Sequence, residues 1–524
     1  MRRSFHTWIL LGLIVLFGSS SLLWLNRNTR PPGPDTAGEI RSAFEFCRSL
    51  LPRSEHSFRE VFLSHGLVAY PPLHLILIGF QFAVTHPSID WAPAANLLWM
   101  ALFSLAAFGI GKRFFSPAAG LLTVMLTLSM IIVAAFIQEV SLEIALMALV
   151  TAFVYFLLST ENFTRGRPSL ALGVVAALGL LVKESFPIYI FFPAVFVFLR
   201  RPSRISTKSL LWGSSAAGIA VAMAALWYVP HWPDVHGLYE LSRQQAVIEH
   251  DPIGWNRAAA LFYPNALVNY YLHPLLAALL LIVLIQNWKR ASEAKQMILV
   301  WLLGGYFLLT FMVANKDVRH FIPCAPAVAL LVSDWLLARS KTIQRALIPL
   351  TLALSALFFI ASQWGLPRYR GVVQFNAGGY EWKLLDGVLY GETIPHRENW
   401  SIPEMLEWIA QDCARRDASV KPVRIGIVPY VYRYNNETLR CYATFQNFPA
   451  AFIPLGNESD LSIVRSCDYV VTKTGDQGAS SLTLRATEIN QFLESSDSPF
   501  KPQISFPLFD GSTATVLKRI DEAK

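Results

Sequence analysis

Long apolar runs recur from the start of this chain to about residue 364, and they constrain its fold more than any other feature. A helix that crosses a bilayer needs about 20 mostly apolar residues, with a range of roughly 17–25. Eleven stretches approach that description: Trp8–Leu25, Pro93–Gly111, Ala118–Phe136, Glu143–Ser159, Leu170–Val182, Phe186–Leu199, Ser209–Val229, Leu267–Asn287, Met297–Val313, Phe321–Ala338 and Ala346–Trp364. The fifth and sixth are short and meet at Lys183-Glu184. Hydrophobic residues make up 54% of the chain and charged ones only 15%, against about 25% charged in an ordinary soluble domain. A chain this apolar must place much of its surface in lipid, so the expected fold is a polytopic α-helical membrane protein with about eleven spanning helices.

The formal net charge is +8. A nucleic-acid partner is excluded because the basic residues form no stripe; they sit in short clusters between apolar runs. These clusters are Arg2-Arg3, Lys112-Arg113, Arg165/Arg167, Arg200-Arg201/Arg204/Lys208, Lys289-Arg290/Lys295 and Arg339/Lys341/Arg345. The positive-inside rule places all of them in the cytoplasm. They fit one topology only if a further apolar stretch, Pro71–Val84, lies at the outer interface instead of crossing. At about 14 residues it is short for a span. The N-terminus is then inside, residues 26–92 form a long first external loop, and everything after Trp364 is outside. Trp24-Leu25-Asn26-Arg27 is a poor cleavage site, so the first run is expected to stay as a helix.

Two domains follow: a membrane domain over residues 1–366 and an extracytoplasmic α/β domain over 367–524. In the second, Arg424–Pro429, Tyr469–Thr472 and Thr513–Leu517 have strand character, and Pro403–Ala410 and Leu482–Leu493 have helical spacing. Cys413, Cys441 and Cys467 leave one disulfide open there without deciding the pair. Asn399-Trp400-Ser401, Asn436-Glu437-Thr438 and Asn457-Glu458-Ser459 match glycosylation sequons, relevant only in a secretory pathway.

Ionisable side chains at membrane depth are costly and are functional candidates by default. In this topology they share the external side: Asp35 and Glu39, then Glu139 and Glu143, then Lys183 and Glu184, then His231-Trp232-Pro233-Asp234-Val235-His236, and last Asn315-Lys316-Asp317-Val318-Arg319-His320. Each has an ordinary alternative. Asp35 and Glu39 suit a solvated loop. Glu139 and Glu143, four apart, share a face if both are helical, and acids favour helix starts. Lys183 is long enough to snorkel. Arg319 suits a helix-flanking anchor. His231 and His236 have no specific metal spacing. As a set, carboxylates early and cations later suit a general base beside a phosphate held by charge-assisted hydrogen bonds.

The order of these features resembles the GT-C glycosyltransferases, in the branch of the protein O-mannosyltransferases and the bacterial aminoarabinose lipid A transferases. The resemblance is carried by one N-terminal span; Asp35-Thr36-Ala37-Gly38-Glu39-Ile40 at the start of the external loop; Tyr70-Pro71-Pro72-Leu73 opening an interfacial helix; Ser141-Leu142-Glu143-Ile144; the glycine-rich run from Gly173 to Gly179-Leu180-Leu181-Val182-Lys183-Glu184; and Arg319-His320-Phe321-Ile322-Pro323. It covers residues 8–338. Thr36, Tyr70 and Glu143 depart from the usual residues of that pattern.

The resemblance implies inverting transfer of a sugar from a polyprenyl-phosphate donor to a lipid, glycan or protein acceptor, in the cell envelope at a bacterial inner membrane. Asp35 is then the base, with Glu143 and Glu139 as catalytic carboxylates. Lys183, Arg319, His320 and Lys316 bind the phosphate. Glu39, Tyr70 and His231 position the loop or acceptor. The sequence specifies no metal site and no cofactor, and a divalent cation stays open. The other class that places charge in the membrane is a transporter or flippase for an anionic or lipid-linked substrate. Paired repeats, its usual mark, are absent from the sequence.

Overall fold

The computed structural model describes residues 2–51, 57–64, 70–200, 206–286, 292–365, 373–384, 393–415, 422–458 and 460–520. Arg201, Arg204, Lys289, Arg290 and Ser459, named above, lie outside the described residues. The chain divides into two compact units.

The first unit holds residues 1–25, 56–77 and 93–395. Among the described residues, seven helices are long and apolar enough to cross a membrane: Phe5–Arg27, Ala92–Phe114, Leu142–Ser159, Thr207–Tyr228, Glu293–Phe311, Val318–Leu337 and Lys341–Trp364. This is an integral membrane protein. An eighth apolar run, Pro117–Leu128 with Ile131–Ile137, is bent by 72° at its break, where the sequence suggested one continuous span. Gly166–Leu180, Phe186–Arg200 and Pro274–Gln286 are shorter apolar helices, as is Leu73–Val84. The run expected at Leu267–Asn287 is divided: residues Leu267–Tyr271 form a π-turn, and the apolar helix begins at Pro274.

Leu142–Ser159 and Val318–Leu337 are the most buried of these helices, while Phe5–Arg27, Thr207–Tyr228 and Lys341–Trp364 expose most of their apolar surface. Exposed Leu210, Leu211, Val221 and Leu226 therefore suit contact with lipid tails. Lipid gives no hydrophobic reward for helix association, so close backbone approach must supply the packing. Two glycines show it. Gly111 lies against the Gly120 backbone, and a Cβ on Gly173 would sit 2.5 Å from the Ala216 carbonyl oxygen.

At 18 residues, Leu142–Ser159 is about 27 Å long. Its two ends differ in charge. At its C-terminal end Arg113 donates to Ser159 Oγ at 2.9 Å, and Glu161 pairs with Arg165 at 2.8 Å. Two of the basic clusters expected in the cytoplasm therefore meet at one end of the bundle. Glu143, Lys183, Arg319 and His320 gather at the other end.

The hairpin of β1 (Val373–Ala377) and β2 (Tyr380–Leu384) also belongs to the first unit. Asn269 clamps it, donating to Glu381 O at 3.0 Å and accepting from Lys383 N at 2.8 Å.

The second unit holds residues 26–55, 78–92 and 396–524. Its sheet is formed by β3 (Val423–Ile427), β4 (Ala450–Pro454), β5 (Tyr469–Lys473), β6 (Phe500–Pro507) and β7 (Thr513–Arg519), in the order β4-β3-β5-β7-β6. β3 pairs in parallel with β4 and β5, and β7 is antiparallel to β5 and β6. Both faces of β5 are covered: Tyr469 and Val471 pack with Ile402, Met405 and Ile409, while Val470 packs with Val464, Ile489 and Leu493. Burial on both faces explains its unbroken apolar reading.

The expected boundary at 366/367 is not where the units divide. Residues up to 395 stay with the membrane unit, and two pieces of the first loop join the C-terminal domain. Pro34–Leu50 packs against the helix Asn436–Phe445, with Phe44 stacked on Phe445 at 4.5 Å. Arg433 donates to Pro31 O at 2.7 Å, Thr438 Oγ1 to Pro32 O at 3.0 Å, and Arg30 pairs with Glu398 at 2.9 Å. All five cysteines are free, so none of the three candidate pairs is bridged. Burial pushes the Cys441 and Cys467 thiols up to about 12 and about 11; both stay protonated at neutral pH.

Gly173→Val is expected to destabilise the membrane unit by about 1–3 kcal/mol through overpacking, read as a lower thermal midpoint in detergent. Gly12→Ala, with nothing within 4 Å of the added Cβ, is expected to be neutral or slightly stabilising. Equal midpoints for wild type and Gly173→Val would remove the close-approach account.

Candidate active site

Three helix ends of the membrane unit bring the polar turns together. Ser141 caps Leu142–Ser159, accepting from Glu143 N at 3.3 Å. The cap places Glu143 in the first turn, where the helix dipole favours an acid. Lys183 follows the end of Gly166–Leu180, where a cation is favoured. Its Nζ lies 2.7 Å from Glu143 Oε1. Ser141 Oγ donates to the other carboxylate oxygen at 2.8 Å. Glu143 and Lys183 are 3% and 9% exposed, so this is a buried ion pair, whose two charges depend on each other. The ring of Tyr70 lies 5.7 Å from the Lys183 ammonium.

The third end is the turn Val318–Cys324, capped by Asp317. Arg319 pairs with Asp317 at 2.9 Å and lies within electrostatic reach of Glu143 and Lys183. His320 is held by its backbone, whose carbonyl accepts from Tyr189 OH at 2.8 Å. Its Nδ1 is buried and meets no hydrogen-bond partner among the described residues. Tyr271 OH donates to Val318 O at 2.6 Å. The expected set of Glu143, Lys183, Arg319, His320 and Tyr70 therefore converges.

Several expected residues do something else. Glu139 and Glu143 do not share a helix face: residues 138–141 form a turn, and the helix starts at Leu142. Lys316 closes a helix end, its Nζ donating to the carbonyls of Leu309, Thr310 and Val313 at 2.6, 2.6 and 2.5 Å. A lysine occupied by three carbonyls acts as a C-terminal cap and not as an open phosphate ligand. His231 is fully buried, stacked on Trp227 at 4.7 Å, with Nδ1 2.9 Å from Trp227 O. Asp35 and Glu39 lie in the second unit, on Pro34–Leu50. Asp35 is exposed in the first turn. In that unit burial raises the Tyr430 phenol to about 12, with Asp35 and Glu437 adding to the rise. Among the described residues no group of three or more His, Cys, Asp or Glu side chains is arranged to hold a metal.

Sequence reasoning missed Asn96. Its amide donates to the carbonyls of Phe136 and Ile137 at 3.2 Å each and of Glu139 at 2.6 Å, closing the end of Ile131–Ile137. A single asparagine at the edge of an apolar run gives no periodic signal. Its position three residues into a predicted span was the only clue.

Residues 69–228 match the family model described as dolichyl-phosphate-mannose-protein mannosyltransferase. The fold is similar to the crystal structure of ArnT from Cupriavidus metallidurans bound to undecaprenyl phosphate, with TM-score 0.58 and 12% identity over 96% of this chain and 98% of that one. It is also similar to the archaeal oligosaccharyltransferase AglB from Archaeoglobus fulgidus in complex with an inhibitory peptide and a dolichol-phosphate. There the TM-score is 0.53 and the identity 13%, over 98% and 74% of the two chains. No curated protein sequence matches. The fold is thus similar to those of ArnT and AglB, and residues 69–228 are similar to the protein mannosyltransferases.

Lys183→Met is expected to cost about 3–5 kcal/mol by stranding Glu143 without its partner. Glu143→Gln combined with Lys183→Met is expected to recover most of that loss, read by thermal unfolding in detergent. A double variant no more stable than the single one would deny the pair its structural role.

Proposed function

We propose that this protein transfers a sugar from a polyprenyl-phosphate donor to an acceptor hydroxyl on the extracytoplasmic face of a bacterial inner membrane. The observation that carries the reading is the convergence of Glu143, Lys183, Arg319 and His320 at one end of a membrane unit with this fold. The matched family segment, which spans Tyr70, Glu143 and Lys183, supports it.

In this scheme a bond forms between the acceptor oxygen and the anomeric carbon as the bond from that carbon to the phosphate oxygen breaks. The acceptor proton passes to a base, and polyprenyl phosphate leaves with the bonding electrons. The leaving group needs its charge stabilised more than it needs a proton. Preorganised cations in a water-poor site do this well. Lys183 and Arg319 take that role, with His320 beside them. Glu143 is held by Lys183 and Ser141, so it fixes the lysine and does not accept the proton. The base role is assigned to Asp35, an exposed carboxylate, with Glu39 one turn further along its helix. Attack from the face opposite the phosphate inverts the anomeric centre.

Purified protein incubated with a panel of polyprenyl-phosphate sugars is expected to consume one donor and release polyprenyl phosphate. Asp35→Asn is expected to lower that rate at least about 100-fold with an unchanged thermal midpoint; full activity in that variant removes Asp35 from the mechanism. The anomeric configuration of the product, read by NMR, tests inversion. Reporter fusions at Ser88 and Ser480 are expected to report outside the cytoplasm, and a cytoplasmic signal at either overturns the proposed side.

A further inference from the structure

His74 has no part in the scheme above. It is fully buried, in the first turn of Leu73–Val84. Trp99 Nε1 donates to His74 Nδ1 at 3.0 Å, with the rings 6.4 Å apart. An indole N–H can only donate, so Nδ1 must stay unprotonated and the neutral ring carries its proton on Nε2. An imidazolium would set two N–H groups against each other. Trp99 therefore fixes both the tautomer and the neutral state of His74.

The fixed Nε2–H is buried and meets no hydrogen-bond partner among the described residues. An unmet buried donor is costly and is rarely retained without a use. Its surroundings suggest the use. Leu73 N donates to Leu181 O at 2.9 Å, which ties this turn to the chain two residues before Lys183. Tyr70, four residues before His74, places its ring beside the Lys183 ammonium. Glu143 acts electrostatically on the His74 ring. The donor thus belongs to the same wall of the membrane unit as the Glu143–Lys183 pair.

We propose that His74 is a further substrate-binding residue, its fixed Nε2–H donating to a phosphoryl oxygen of the polyprenyl-phosphate donor beside Lys183. This rests on the glycosyl-transfer reading. Lys183 and Arg319 are each already paired with a carboxylate. A neutral donor adds a contact to the phosphate without adding charge at membrane depth. Because Trp99 holds the ring neutral, His74 orients the phosphate and does not protonate it.

Two near-isosteres separate this role from a purely structural one. His74→Asn keeps an acceptor near the Nδ1 position for Trp99 and loses the Nε2 donor. His74→Gln places an amide N–H near the Nε2 position and gives up the acceptor for Trp99. The full chain in detergent is titrated with undecaprenyl phosphate. His74→Asn is expected to weaken Kd about tenfold or more, and His74→Gln to stay within about threefold of wild type. Thermal midpoints are expected to rank the other way, with His74→Asn the more stable. The shift in midpoint on adding ligand, taken within each variant, reads binding even where a variant is less stable. If His74→Asn binds as wild type does, the histidine serves Trp99 alone and the proposal falls. If wild type itself binds no undecaprenyl phosphate, the glycosyl-transfer reading fails and takes this proposal with it.

Discussion

The buried pair of Glu143 and Lys183 sets the terms for what surrounds it. Neither charge is tolerable alone at that depth, and each sits where a helix dipole favours its sign. Glu143 lies at a helix start, with Ser141 taking its second oxygen, and Lys183 lies just past a helix end. The pair therefore ties Leu142–Ser159 to Gly166–Leu180 at one end of the bundle. With Nζ fixed there, Lys183 has little freedom to snorkel, and its charge is committed to one place.

Polar residues near membrane depth divide into two kinds here. Some carry the candidate chemistry, and others close helix ends that lipid cannot hydrate. The last carbonyls of a helix need donors, and an apolar medium supplies none. Lys316 provides them after Glu293–Phe311, and Asn96 provides them after Ile131–Ile137. Both caps also hold segments that feed the site. Lys316 precedes the Arg319 turn, and Asn96 anchors the turn that leads to Ser141 and Glu143. A charged residue in an external turn is thus weak evidence for a substrate contact until its nearest carbonyls are known.

Much of this was legible in the sequence, for physical reasons. Apolar length marks the seven helices long enough to span, and the clusters at Arg113 and Arg165 share one end of the bundle. Strands β3 and β5 showed because burial on both faces keeps them apolar, and β7 showed by its alternation. The 72° break between Leu128 and Ile131 did not show, since both halves are uniformly apolar and no proline or glycine marks the bend. His74 and Asn96 were hidden as single polar residues in apolar runs. The split of the first loop depends on contacts such as Arg433 with Pro31 and Phe44 with Phe445. Pairings some 400 residues apart leave no local pattern.

The balance of charge in the membrane unit bears on how a phosphate would be held. Lys183 answers to Glu143 and Arg319 to Asp317, so the cluster carries little bare charge. Bare cations would bind an anion more strongly, but they would also be costly to bury and would draw in water. Paired cations keep their positions without that penalty, and directed donors would then add to their hold on a phosphate. Fixed donors cost no reorganisation as charge develops on the leaving group. Selectivity for one carrier would then come from how those donors are aimed. The clamped ring of His74 beside Trp99 has the properties such a donor needs.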